Sequence, residues 1–191
     1  QAAEPGMDVE SGYMVKTKKS STVAIELLDS SIFRIAAKST LVIDDFVLDG
    51  TSNRSMKARM LGGAMQYISK SSGFLKDDRK VMLANVSLAI RGTNFIGIIG
   101  PRIQVVLLEG NIVISARSNN IELNQRGQTV FLDRTGKFDE AFLLPDDELT
   151  QLGEQLGWDI QLPPRATSGS RSSGIGRRVG CALVNATIIC G

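Results

Sequence analysis

The sequence contains no histidine. That absence removes Ser-His-Asp and Cys-His catalysis, imidazole metal ligation and imidazole pH switching together. Aromatic residues are sparse, with one Trp and two Tyr, too few to build a sugar-stacking surface. Cysteine occurs only at Cys181 and Cys190, and this spacing is not a zinc pattern. No stretch reaches the ~18 apolar residues that a membrane-spanning helix needs. The longest apolar piece, Val179 to Cys190, is interrupted by Asn185 and Thr187, so no stable membrane span is expected. The net charge is only +2, but it is unevenly spread. From Pro163 to Gly191 there are four arginines (Arg165, Arg171, Arg177, Arg178) and no acid, so the body before them is mildly acidic. Such a body does not favour nucleic acid, which calls for a basic stripe interleaved with aromatics. The basic tail reads first as a solubilising linker and second as a contact for an anionic partner.

What remains is a pattern of short strands cut by turn residues. Residues 1–12 are small and polar and read as a flexible arm. Thr22 to Leu28 alternates, and Ile32 to Ile35 and Leu41 to Ile43 follow it. Gln104 to Leu108, Ile112 to Ser115, Ile121 to Leu123 and Thr129 to Leu132 continue the series. Gly110, Gly127 and Gly136 mark corners, where positive φ is available to glycine. Met56 to Ile68 fits a helical face or an alternating strand; Gly62-Gly63 disfavours the helix, and two strands joined at the glycines are expected. One helix is expected after Pro145: Asp146, Asp147 and Glu148 suit its positive end, Leu149, Leu152 and Leu156 form a stripe, and Gly157 ends it. Residues 134–162 therefore read as a helical cap. Residues 163–180 read as a Ser/Gly/Arg-rich linker, and residues 181–191 as a C-terminal β segment.

Three blocks are distinctive: Ile90-Arg91-Gly92-Thr93-Asn94-Phe95, Val106 through Glu109-Gly110 to Ile114, and Leu123 through Gly127-Gln128. With Leu28-Asp29-Ser30-Ser31 upstream, their order and spacing resemble the FecR domain family over about residues 13–133. The chain departs from the family where Asp29-Ser30-Ser31 replaces Asp-Gly-Ser, where Leu83-Ala84 replaces Thr-Pro, and where Asn94 replaces an Asp. The resemblance implies an all-β, solenoid-like fold of short stacked rungs outside the cytoplasm. It also implies, as a second reading, a cell-envelope signalling module of the anti-sigma regulator type.

In the matched blocks, Ile90, Arg91, Gly92, Thr93, Glu109, Gly110, Gly127 and Gln128 are read as structural. Arg91 is expected to bond a corner carbonyl or carboxylate, with Glu109 as a guessed partner; the alternative is an anionic ligand. The pairs Asp44-Asp45 and Asp77-Asp78 are weighed as general acid/base or Ca²⁺ groups and set aside. Neighbours on a strand face opposite ways, and Asp77-Asp78 reads as part of a solvated loop. Gly97 to Gly100 lacks the Lys-Ser/Thr of a phosphate loop. No catalytic, cofactor or metal site is expected. A hairpin folded about Asn185-Ala186 would set Cys181 opposite Cys190, making an intramolecular disulfide the first expectation and pairing with a neighbouring subunit the second. The leading expectation for function is a non-enzymatic, exported structural or interaction protein of the periplasm, cell surface or extracellular space. It would bind copies of itself, as a filament or surface-layer subunit, through solenoid ends and an assembly strand at Leu183, Val184, Ile188 and Ile189. An envelope protein is the second candidate partner.

Overall fold

The computed structural model describes residues 2–4, 6–49, 53–69, 76–162 and 188–189. In chain order the strands are β1 (Ala2–Ala3), β2 (Met14–Thr17), β3 (Val23–Glu26), β4 (Ile32–Ile35), β5 (Thr40–Asp49), β6 (Asn53–Ile68) and β7 (Lys76–Leu83). They continue with β8 (Val86–Ile99), β9 (Ile103–Ala116), β10 (Asn119–Leu123), β11 (Gln128–Leu132) and β12 (Phe142–Leu143). The helix α1 (Asp146–Leu156) and β13 (Ile188–Ile189) complete the set. The strands form one mixed sheet in which the β6–β7 pairing is parallel and the others are antiparallel.

Three long strands organise the sheet, and each is shared between two halves. The first part of β6 pairs with β5 and β7, and its second part, Gly63 to Ile68, pairs with β4 and β8. The strand β8 changes partner between Arg91 and Asn94, leaving β7 for β6. The strand β9 runs beside β11 first and β10 afterwards. Glycine sits at the bends. Gly110 has φ +87°, and a Cβ there would stand 2.1 Å from the Gly92 carbonyl oxygen. Only a residue without a side chain lets the two bent backbones meet so closely.

The inner faces of both halves close on one core. Val15, Leu41, Met56, Leu83, Leu88 and Ile114 come from one half, and Phe33, Tyr67, Phe95, Val105 and Leu132 from the other. Tyr67 lies between Phe33 and Phe95, with ring centroids at 4.7 and 6.0 Å. The outer face of the second half carries Ile96, Val106 and Leu108, which α1 covers with Leu149, helped by Ile160. Pro145 precedes the helix, three acids fill its first turn, and Gly157 closes it at φ 92°.

The architecture is all-β with one short helix, as the sequence predicts, but in place of the stacked-rung picture stands a bent, mostly antiparallel mixed sheet. Short turns, such as the one from Leu83 to Val86, send the chain straight back, which makes neighbours antiparallel. Glycines bend long strands where breaks are expected: Met56 to Ile68 is one strand, and Gln104 to Ser115 lies within another. The helix covers a sheet face, not a solenoid end. The arm is not all free, because Met7 and Val9 pack against the core and the Gly12 N–H donates to the Ile43 carbonyl.

The C-terminal expectations also change. Ile188 and Ile189 pair with Thr17 and Lys16 of β2 on one edge and with Ala3 and Ala2 of β1 on the other. A strand has two edges, so these residues have no edge left for a hairpin partner or a strand of another copy. Leu183, Val184, Cys181 and Cys190 lie outside the described residues.

Candidate functional site

The Arg-Gly-Thr block sits where β8 bends. Ile90 points into the core and Arg91 points to solvent. Gly92 takes φ 60°, which turns Thr93 inward, where it is fully buried. The Thr93 hydroxyl donates to the Asn111 carbonyl at 2.7 Å and accepts from the Arg91 N–H at 3.3 Å. The Ser69 N–H donates to the Thr93 carbonyl at 2.9 Å. The block therefore fastens β8 to β9 and to the end of β6. Arg91 lies opposite Asn111, and Glu109 lies opposite Asn94. Among the described residues Arg91 and Glu109 form no ion pair, because the bulge between them shifts the register. Gly127 donates to the Leu107 carbonyl and accepts from the Leu144 N–H, and the Gln128 side chain accepts from the N–H groups of Asn124 and Asn124's neighbour Gln125. Both serve the turn into β11.

A second cluster was not legible as a site. Arg54 and Arg79, on β6 and β7, have the same strand parity as the core residues Met56 and Val81, and both are buried. The Asp77 carboxylate accepts from Arg54 at 3.1 and 2.7 Å and from Arg79 at 2.7 and 2.8 Å. Arg54 also donates to Asp29 at 2.7 Å, and Arg79 donates to the Tyr67 hydroxyl at 3.3 Å. The other Asp29 oxygen accepts from the Ser31 N–H and hydroxyl. Burial pushes the Asp77 carboxyl up, but the hydrogen bonds and charges of Arg54 and Arg79 outweigh it and hold the group below the usual carboxylate range. Burial likewise lowers Arg79, and Asp77 and Tyr67 more than reverse it.

This network corrects the expectation of a solvated loop at Asp77, which lies on β7. It is a fastener between β6, β7 and the β3–β4 turn, because each carboxylate oxygen accepts from a donor and neither acid is left as a base. Asp44 is likewise taken up by an exposed bidentate pair with Arg59. Near the C-terminal end of α1 a hollow of about 480 Å³ is lined by residues such as Ser21, Ala37, Gly63, Ile99 and Gln155, with no titratable side chain. No cluster of three or more metal-ligating groups occurs among the described residues.

A family model described as FecR protein matches residues 13–113, from the approach to β2 to the second part of β9. The chain belongs to the FecR family. A search of curated proteins returns no match. Two crystal structures of a "putative anti-sigma factor from Parabacteroides distasonis ATCC 8503" share the fold, each with a TM-score of 0.58. The one at 1.65 Å is 11% identical and covers 73% of this chain, and the one at 2.50 Å is 10% identical and covers 72%. This chain spans 64% and 62% of their lengths.

The departures from the family pattern can now be placed. Ser30 stands at φ 60°, where the family's glycine would be unstrained. Ala84 stands at φ 53°, which proline cannot adopt, so the turn between β7 and β8 differs from one built on Thr-Pro. Asn94 keeps an oxygen for the Gln66 side-chain amide, at 2.9 Å, as an Asp would.

The match to the FecR family overturns the expectation of a filament or surface-layer subunit built from copies of itself. The structural basis of that expectation is also gone. The described strands form a mixed sheet in place of stacked rungs, and the last strand is paired within its own chain.

Proposed function

We propose that the chain is an exported, non-enzymatic binding module of a cell-envelope signalling regulator of the FecR anti-sigma type. Its partner in this reading is another envelope protein whose state it relays. The observation that carries the reading is the family match across residues 13–113, which includes the Arg-Gly-Thr fastener and both glycine bends. The likeness in fold to the anti-sigma structures supports it. The chemistry agrees: the buried carboxylates are committed to arginines, and the hollow beside α1 carries no titratable group.

RNA sequencing of cells with and without the gene tests this. The expected result is a change concentrated in the genes read by one alternative sigma factor. Unchanged transcripts, together with a weakened envelope, would point back to a purely structural part.

A further inference from the structure

The sheet path ends at β12, whose outer edge is unpaired among the described residues. On its inner edge Phe142 and Leu143 lie opposite Thr129 and Gln128 of β11. The Leu144 N–H donates to the Gly127 carbonyl, so by alternation the Leu143 N–H points away from β11 toward the open side. Native edges are usually blunted by lysine, proline, a covering segment or shortness, and of these β12 has its two-residue length and Pro145 just beyond it. Here the edge residues are apolar and exposed, Phe142 at 42% and Leu143 at 54%. Phe142 stacks on Phe131 at 5.9 Å, and the Arg102 guanidinium lies over the other ring at 4.9 Å. An aromatic platform thus adjoins the outward N–H and carbonyl of Leu143.

The chain segment that carries this edge has charge of one sign. From Asp139 to Glu148 there are five acids and no base. Arg102 pairs with Asp139 and Arg126 with Asp146. Glu140, Asp147 and Glu148 remain exposed with no salt bridge among the described residues. Two of them belong to the first turn of α1, whose dipole they suit, but Glu140 precedes β12 and has no helix to serve. An apolar edge strand with acids before and after it suits a strand of matching length with bases before and after.

We propose that the edge of β12 receives an extended segment of a partner protein, apolar in its centre and flanked by lysine or arginine, which adds as a further strand beside Phe142 and Leu143. Main-chain hydrogen bonds hold it, the Phe131–Phe142 platform takes one of its apolar side chains, and the flanking acids set the preference for basic ends. The inference rests on the reading of this chain as a binding module and names the chemistry of what it binds.

The test uses the full chain and a short synthetic peptide of alternating valine and threonine with lysine and arginine at both ends. Isothermal titration at low salt should show binding that weakens as salt rises. The same peptide with glutamate ends should bind about tenfold more weakly or not at all. Leu143→Pro removes an outward N–H but no bond to β11 and should weaken binding about tenfold. Glu140→Lys with Glu148→Lys leaves the backbone intact and should remove the preference for basic ends. Equal affinity for both peptides, or unaltered affinity in both variants, overturns the proposal. So does slow amide exchange at Leu143 in the peptide-free chain, since the edge would then already be covered. A negative result here with a positive transcript result removes this docking edge and leaves the signalling role standing.

Discussion

At Ser30 and Asp77 single side chains carry measurable consequences. Ser30 holds a left-handed conformation that costs a residue with a Cβ about 1–2 kcal/mol, offset in part by the freedom glycine gives the unfolded chain. Ser30→Gly should therefore raise stability, by up to about 1 kcal/mol in urea unfolding, with the Asp29–Arg54 bond kept. Asp77 has the opposite character. Asp77→Asn leaves two buried arginines short of a countercharge and should cost about 3–5 kcal/mol. The folded carboxyl lies below its unfolded value of about 3.9. Its contribution is thus complete above about pH 4 and disappears as pH falls through the folded value. A stability profile from pH 7 to pH 2 should fall in the wild-type chain and fall less steeply in Asp77→Asn. Arg91 is a contrasting case: exposed and, among the described residues, bonded only through its backbone, it should tolerate Arg91→Ala within about 0.5 kcal/mol. Thr93→Val removes the hydroxyl that joins β8 to β9 and should cost about 1–3 kcal/mol.

Among the elements, the strands that alternate plainly were readable: Ile32 to Ile35 coincides with β4, and Thr129 to Leu132 lies in β11. The helix from Asp146 to Leu156 was readable because its end signals and its leucine stripe agree. Strand length was not, since glycine carries the same local signal whether the chain turns or bends, and only the partner strand decides. At Gly110 the partner is the Gly92 backbone. Gly110→Ala places a methyl against that carbonyl and a side chain at positive φ, and should destabilise by about 2–5 kcal/mol in thermal or denaturant unfolding. The strand β7 was missed for a different reason. Its first residues are charged, and Asp77 and Arg79 look solvated until Arg54, distant in sequence, supplies the pairing. The inward parity of Arg54 beside Met56, Ala58 and Met60 was the signal available for it.

For the molecule as a whole, the Arg-Gly-Thr and Glu-Gly blocks were enough to place the family. The step to self-assembly failed because it relied on raw solenoid ends. The bent ladder instead folds both inner faces onto one core, lays α1 over the apolar part of one outer face, and pairs the final strand within the chain. In the proposed reading the body offers the outside a binding surface, and binding there controls transcription. The most direct measurement is the transcript level of a sigma-factor-controlled gene in cells carrying either the native chain or one with Asp77→Asn and Gly110→Ala together. The doubly altered chain, strongly destabilised, is expected to lose the response to the envelope signal that the native chain is proposed to support. An identical response in both would contradict it.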